Sequence, residues 1–245
     1  MLAQTLSHPM SVANALVFAA LIHQLRREMP AAQELAEAGI VLATEQGLPF
    51  FLAWGMVLRG WALAANEQGE EGIAQMRRGL AAYRTTGWEE AQSYFLALLA
   101  EVCERVGQSE EGLNVLGEAL AHVDKTGERF YEAELYRLYG ELSLRNGETE
   151  TGRTGDQKPL SDSPILRFPV SSPEDAFLKA IDIARKQQAK SLELRAVMSL
   201  ARLWQQQSRK DEARQMLAEI YGWFTEGFDT KDLQEAKALL EELNH

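Results

Sequence analysis

Small residues recur in this chain at a fixed step of forty. Ala20, Gly60, Ala100 and Gly140 are each forty apart, and Ala201 continues the series after an offset of sixty-one. Gly47, Gly87, Gly127 and then Ala189 follow the same step and a similar offset, and a third series runs Ala38, Gly79, Ala119, Ala180 and Ile220. A self-similar period between twenty and fifty residues is the signature of a stacked array, in which each unit buries its apolar face only against its neighbours.

Each unit reads as two helices. Residues 88–106 carry apolar side chains at helical spacing and stop at Gly107, and residues 109–126 form a partner helix that stops at Gly127. No stretch alternates apolar and polar residues as a half-buried strand would. The expected fold is all-α, a right-handed α-α superhelix of about five helix pairs, with repeats at 9–47, 48–87, 88–127, 128–189 and 190–224. Between Gly147 and Ser172 the run ETETGRTGDQKPLSDSPILRFPVS cannot continue a helix and lengthens the fourth repeat, so a flexible insertion is expected at 148–172. Its apolar Ile165, Leu166 and Phe168 leave a functional loop open as the other reading. Ser172 then caps a new helix, with Pro173 in its first turn.

The closing stretch IYGWFTEGFDTKDLQEAKALLEEL sets four aromatic residues before an amphipathic segment. Leu233, Ala236, Leu240 and Leu243 share one face, which predicts a capping helix over 229–243, with Tyr221, Trp223, Phe224 and Phe228 packed as the joint beneath it. The first helix is apolar nearly all round (Val12, Leu16, Val17, Phe18, Leu21, Ile22, Leu25) and has no polar outer face. That pattern expects either an array continuing upstream or a homodimer through the uncapped amino-terminal pair.

Composition narrows the function classes. A net charge of −11 disfavours nucleic acid, whose phosphates demand a basic face. One cysteine, Cys103, excludes a disulfide framework and suits a reducing cytoplasm. Residues 12–22 lack the flanks of a signal peptide, and residues 48–65 carry Arg59 inside an apolar run, so buried helices explain both. His8, His23, His122 and His245 are scattered, Gly152 to Lys158 lacks the spacing of a phosphate loop, and no nucleophile has an obvious base. Neither metal, cofactor nor catalytic residue is expected.

In such an array the first helix of each pair lines the concave face, where ligands bind. The register puts Trp54, Trp61, Tyr94, Glu101, Glu134, Arg137, Glu141, Arg195, Met198 and Arg202 on that face, running from apolar to charged. Arginine forks grip carboxylates bidentately, so Arg137, Arg195 and Arg202 suit an acidic peptide, or else they pair with Glu134 and Glu141 across neighbouring helices.

Leu200-Ala201 with Trp204, and Phe177 with Ala180, resemble the tetratricopeptide (TPR) pattern in a long-unit variant. The stretches ELYRLYGELSLRNG, AIDIARKQQAKSLELRAVMSLARLWQQQSRKDEAR and IYGWFTEGFDTKDLQEAKALL resemble the carboxyl-terminal TPR region of bacterial fusion proteins. In those, an adenylate/guanylate cyclase or other signalling domain precedes an AAA-type ATPase and then the array. The resemblance implies a cytoplasmic, non-catalytic protein-interaction and regulatory scaffold that contacts a partner protein or the upstream domains. A small-molecule sensor, with an effector at the Trp54/Trp61 end, is the competing expectation.

Overall fold

The computed structural model describes residues 8–65, 68–151 and 169–244. Most of the expected insertion, including Ile165, Leu166 and Phe168, lies outside the described residues, as does His245. Eleven α-helices and no strand occur among the described residues: α1 Pro9–Leu25, α2 Met29–Glu45, α3 Pro49–Ala65, α4 Gly69–Thr85, α5 Gln92–Arg105, α6 Ser109–Thr126, α7 Glu132–Thr151, α8 Pro173–Gln187, α9 Lys190–Gln206, α10 Lys210–Tyr221 and α11 Lys231–Leu243. The chain divides into two compact units, Met1–Gln108 and Ser109–His245, and the dividing turn falls inside the third expected repeat. No described helix is long and apolar enough to cross a membrane.

In the first unit α1, α3 and α5 touch in succession, while α2 and α4 pack against them. The forty-residue series explains how closely. Gly60 of α3 faces Gly72 and Met76 of α4, and Ala64 meets Gly72 from the other side, which fixes α3 and α4 as antiparallel. A β-carbon at Gly60 would lie 2.6 Å from Met76 Cγ and 2.7 Å from the Gly72 carbonyl oxygen. Here glycine is required by a backbone-to-backbone approach, which outweighs its roughly 1 kcal/mol helix penalty. Ala20, Ala100 and Ala201, at the same repeat position, are buried too. The third series needs one correction: Ala38 is exposed, and the buried residue against Val17 is Gly39, forty before Gly79.

Turns repeat as faithfully as helices. Gly47, Gly87 and Gly127 close their second helices with φ of +64°, +79° and +75°. In the fourth repeat that left-handed role falls to Gln188 (φ +55°), the residue before Ala189. A further series, Arg27, Gly107 and Ser208, turns the chain inside its pairs with positive φ, and only one of the three is a glycine.

Within the second unit α7, α9 and α11 form the succession of first helices, with α8 and α10 behind them. The Phe177 ring of α8 lies directly over Gly140 of α7, so aromatic and glycine interlock where the repeat pattern places them. Ser172 caps α8 as expected: its Oγ accepts the Asp175 N–H at 3.1 Å. At α11 the N-cap is Thr230, but its hydroxyl donates backward to the Gly227 carbonyl at 2.6 Å and leaves the helix amides uncapped by a side chain. The buried face of α11 is Leu233, Ala236, Leu239 and Leu243; Leu240 is only half-buried.

The aromatic joint is corrected more substantially. Trp223 and Phe228 are 57% and 46% exposed, and Tyr221 and Phe224 are half-buried. Tyr221 rests on Phe228 at 5.8 Å and Trp223 on Phe224 at 5.2 Å, with the Lys190 ammonium 5.7 Å over the Trp223 ring. Gly222 and Gly227 interrupt the segment, so the rings pair among themselves on the surface rather than filling a seam.

Candidate interaction surface

Residues at equivalent repeat positions fall on successive first helices, and Trp54 with Tyr94, Trp61 with Glu101, and Glu134 with Arg195 meet there. Trp54 and Tyr94 are forty apart, as are Trp61 and Glu101; Glu134 and Arg195 share the sixty-one offset, as do Glu141 and Arg202. Stacking repeats in register brings such residues side by side.

In the first unit the meeting is aromatic. Trp54 of α3 sits among Phe18 at 5.5 Å, Phe95 at 4.7 Å, Tyr94 at 6.3 Å and Tyr83 at 6.5 Å. Phe50 bridges this cluster to Trp88, 5.5 Å away and exposed. The Trp54 Nε1–H is sealed from solvent and has no hydrogen-bond partner among the described residues. Tyr94 is fully buried, and its hydroxyl donates to Gln24 Oε1 at 2.6 Å. Tyr94→Phe should leave Gln24 (1% exposed) without that donor and lower stability by about 1–3 kcal/mol, read by denaturant titration.

One step further along α3, Trp61 Nε1 donates to Glu101 Oε2 at 3.0 Å. Arg105 pairs with the same carboxylate and lies 5.3 Å from the centre of the Trp61 ring. Trp61, Glu101 and Arg105 therefore form one tight group, with Glu101 and Arg105 part-exposed. On α1, Met10, Phe18 and Ile22 stand exposed along one row.

In the second unit the equivalent positions are ionic. Arg137 grips Glu134 with a fork, Nε and Nη2 to the two carboxylate oxygens at 3.0 and 2.8 Å. The same guanidinium reaches Ser199 Oγ of α9 at 3.4 Å and Glu141 at 3.6 Å. Arg195 donates to Asp232 of α11 at 2.7 Å and lies 3.9 Å from Glu134. Arg202, half-exposed, lies 3.9 Å from Glu235 of α11, and Met198 is buried between the two arginines on α9. Burial opposes the Arg195 charge, but the Asp232 and Glu134 carboxylates outweigh it and raise its pKa above the ordinary arginine value.

The arginines are thus held in pairs, and two of the partners, Asp232 and Glu235, lie on α11, the helix expected only to cap the array. The signal was available: α11 is the next first helix in the series, so its first turn must come against the charged stripe of α9.

A second carboxylate is equally committed. Glu193, 3% exposed, accepts from Arg185 and from Lys190, each at 2.7 Å. Burial raises its pKa, yet the two cationic donors prevail and hold it below its ordinary 4.5. A carboxylate depressed in the fold contributes stability that is present above pH 4.5 and is lost as pH falls through the lowered value. Acid titration of the melting temperature should show this loss, and Glu193→Gln should flatten the slope in that window. Among the described residues no cluster of His, Cys, Asp and Glu could hold a metal ion.

Crystal structures of the nearly identical TPR-like repeats assigned to a Podosopora anserina kinesin light chain share this architecture. A point variant superposes with a TM-score of 0.54 and the unsubstituted repeats with 0.53; both are 16% identical and cover 88% of this chain and 95% of theirs. The chain is an all-α, TPR-like helical-repeat protein. An uncharacterized protein of Rhizobium meliloti (strain 1021) is 28% identical over 101 residues, 41% of this chain, which spans only 10% of that relative. No family model matches the sequence.

Proposed function

We propose that this chain is a non-catalytic protein-interaction scaffold, working as the carboxyl-terminal part of a bacterial signalling protein of the ATPase/cyclase fusion type. The observation that carries the scaffold reading is the alignment of equivalent residues on successive first helices, aromatic where Trp54 meets Tyr94 in one unit and ionic where Glu134 meets Arg195 in the other. These pairs are largely buried and hold the first helices of each unit in register, so what a partner segment can reach is the part-exposed charge beside them, Glu101 in one unit or Glu141 and Arg202 in the other, which gives specificity without a reactive centre. The signalling context rests on the resemblance of the stretches quoted above.

The test is capture by the immobilised chain, read by mass spectrometry, alongside an Arg202→Glu version. Arg202 is half-exposed and its contact with Glu235 is long, so the substitution should change stability by less than about 1 kcal/mol. One protein held by the first and lost by the second supports the scaffold. Equal capture, or none, moves a second reading ahead. That reading is a small-molecule sensor in the first unit, favoured by the sealed and unpartnered Trp54 N–H amid an aromatic cluster. A saturable thermal shift with a metabolite, lost on Trp54→Phe, would establish it. Sedimentation of the same chain and of Ile22→Asp tests whether the exposed row on α1 pairs two copies.

A further inference from the structure

The face of α9 and α10 under α11 is already seated by a helix, and that helix has the chemistry the arginines call for. Asp232 and Glu235, one turn apart, meet Arg195 and Arg202, which lie two turns apart on α9. Leu233, Ala236, Leu239 and Leu243 supply the apolar underside. What ties α11 to the chain is weak by comparison. The connecting segment 222–230 is broken by Gly222 and by Gly227 at φ +77°, its Trp223 and Phe228 stand largely in solvent, and α11 begins without a side-chain cap.

We propose that this end face of the second unit is a docking site for an acidic amphipathic helix of a partner protein, with α11 as its resident occupant in cis. The proposal rests on the scaffold reading above and adds the partner's chemistry and its regulation. The incoming helix carries carboxylates at positions equivalent to Asp232 and Glu235 and leucines at those of Leu233, Leu239 and Leu243. Charge complementarity selects it, since two arginines on a chain of net charge −11 accept an acidic helix where most of the surface repels one. Binding requires α11 to swing out on its glycine-broken connection, so affinity is reduced by the fraction of time the seat is filled.

Two measurements test this. Hydrogen exchange of the native chain should show amides of 231–243 exchanging through an opening that leaves α9 and α10 protected. Anisotropy should show a fluorescein-labelled peptide of residues 229–244 binding an Asp232→Lys/Glu235→Lys chain at least tenfold tighter than the native chain. The same peptide carrying lysine at those two positions should bind at least tenfold more weakly.

Exchange of α11 only together with α9, at every denaturant concentration, overturns the proposal. So does a charge-reversed chain that melts cooperatively yet takes no peptide. If that chain does not melt cooperatively, the exchange data decide alone. Failure here with Arg202-dependent capture intact removes the displaceable helix and keeps the scaffold. A competent peptide seat without any captured protein does the reverse.

Discussion

Arg195→Ala is expected to be the most damaging single change in the second unit, lowering stability by about 3–5 kcal/mol. The side chain is 11% exposed and lies between Asp232 and Glu134, themselves 12% and 4% exposed. Removing it leaves Asp232 without its 2.7 Å donor and Glu134 dependent on the Arg137 fork. A mostly buried carboxylate that loses its shortest cationic donor costs more than the net worth of the pair it came from. The melting temperature should fall on the order of 10 °C. A double replacement, Arg195→Met with Asp232→Leu, should recover most of the loss, because both charges leave together and the space is refilled by apolar groups. Calorimetry of the two single variants and the pair, set out as a double-mutant cycle, separates the coupling from the burial cost. Equal losses for Arg195→Ala and Arg202→Ala would contradict this account, since the Arg202 pair is 3.9 Å long and largely solvated.

Gly60→Ala should destabilise the first unit by about 1–3 kcal/mol even though alanine is the better helix former. The new methyl group would meet the Gly72 carbonyl, which is backbone and cannot rotate away, and Met76 Cγ, which can move. Gly72→Ala should be at least as costly, since its β-carbon would lie 2.5 Å from the Gly60 carbonyl oxygen. Gly87→Ala is the informative contrast. Nothing lies within 4 Å of a β-carbon there, and the cost is the left-handed backbone at φ +79°, about 1–2 kcal/mol. Denaturation midpoints should therefore fall for all three. Only Gly60→Ala faces a side chain that can be trimmed, so a double-mutant cycle with Met76→Ala should show coupling with Gly60→Ala and none with Gly87→Ala.

These cases also show why part of the molecule was legible in the sequence. Repeats restate one backbone geometry, so the residues that geometry demands return at one step, and Gly60, Ala100 and Gly140 reveal the pairs before any contact is known. Single positions slip where two neighbours are both small, as with Ala38 and Gly39, or where a non-glycine accepts a left-handed turn, as at Gln188 and Ser208. The stripe residues were likewise placed on first helices from their register. Pairing with Glu134 and Glu141 was among the expectations, but Asp232 and Glu235 were not, because an ion pair such as Arg195 with Asp232 spans the whole of α10 with its two connections and depends on how the last helix seats. The exposed aromatic segment misled for a related reason. Aromatic residues are usually interior, but Trp223 and Phe228 sit in a short glycine-broken connection with no second layer to cover them.

Side-by-side placement of equivalent residues has a consequence for how such a chain changes over time. Each rung belongs to two neighbours at once: Glu134 answers both to Arg137 on its own helix and to Arg195 on the next. A rung altered alone is therefore heard by the adjacent repeat, and a compensating change is expected forty or sixty-one residues away rather than nearby. Duplication of a whole repeat carries both halves of each conversation with it. The array can thus lengthen or shorten by complete steps, and rewrite its surface one rung at a time, while the glycine contacts that hold each pair together stay as they are.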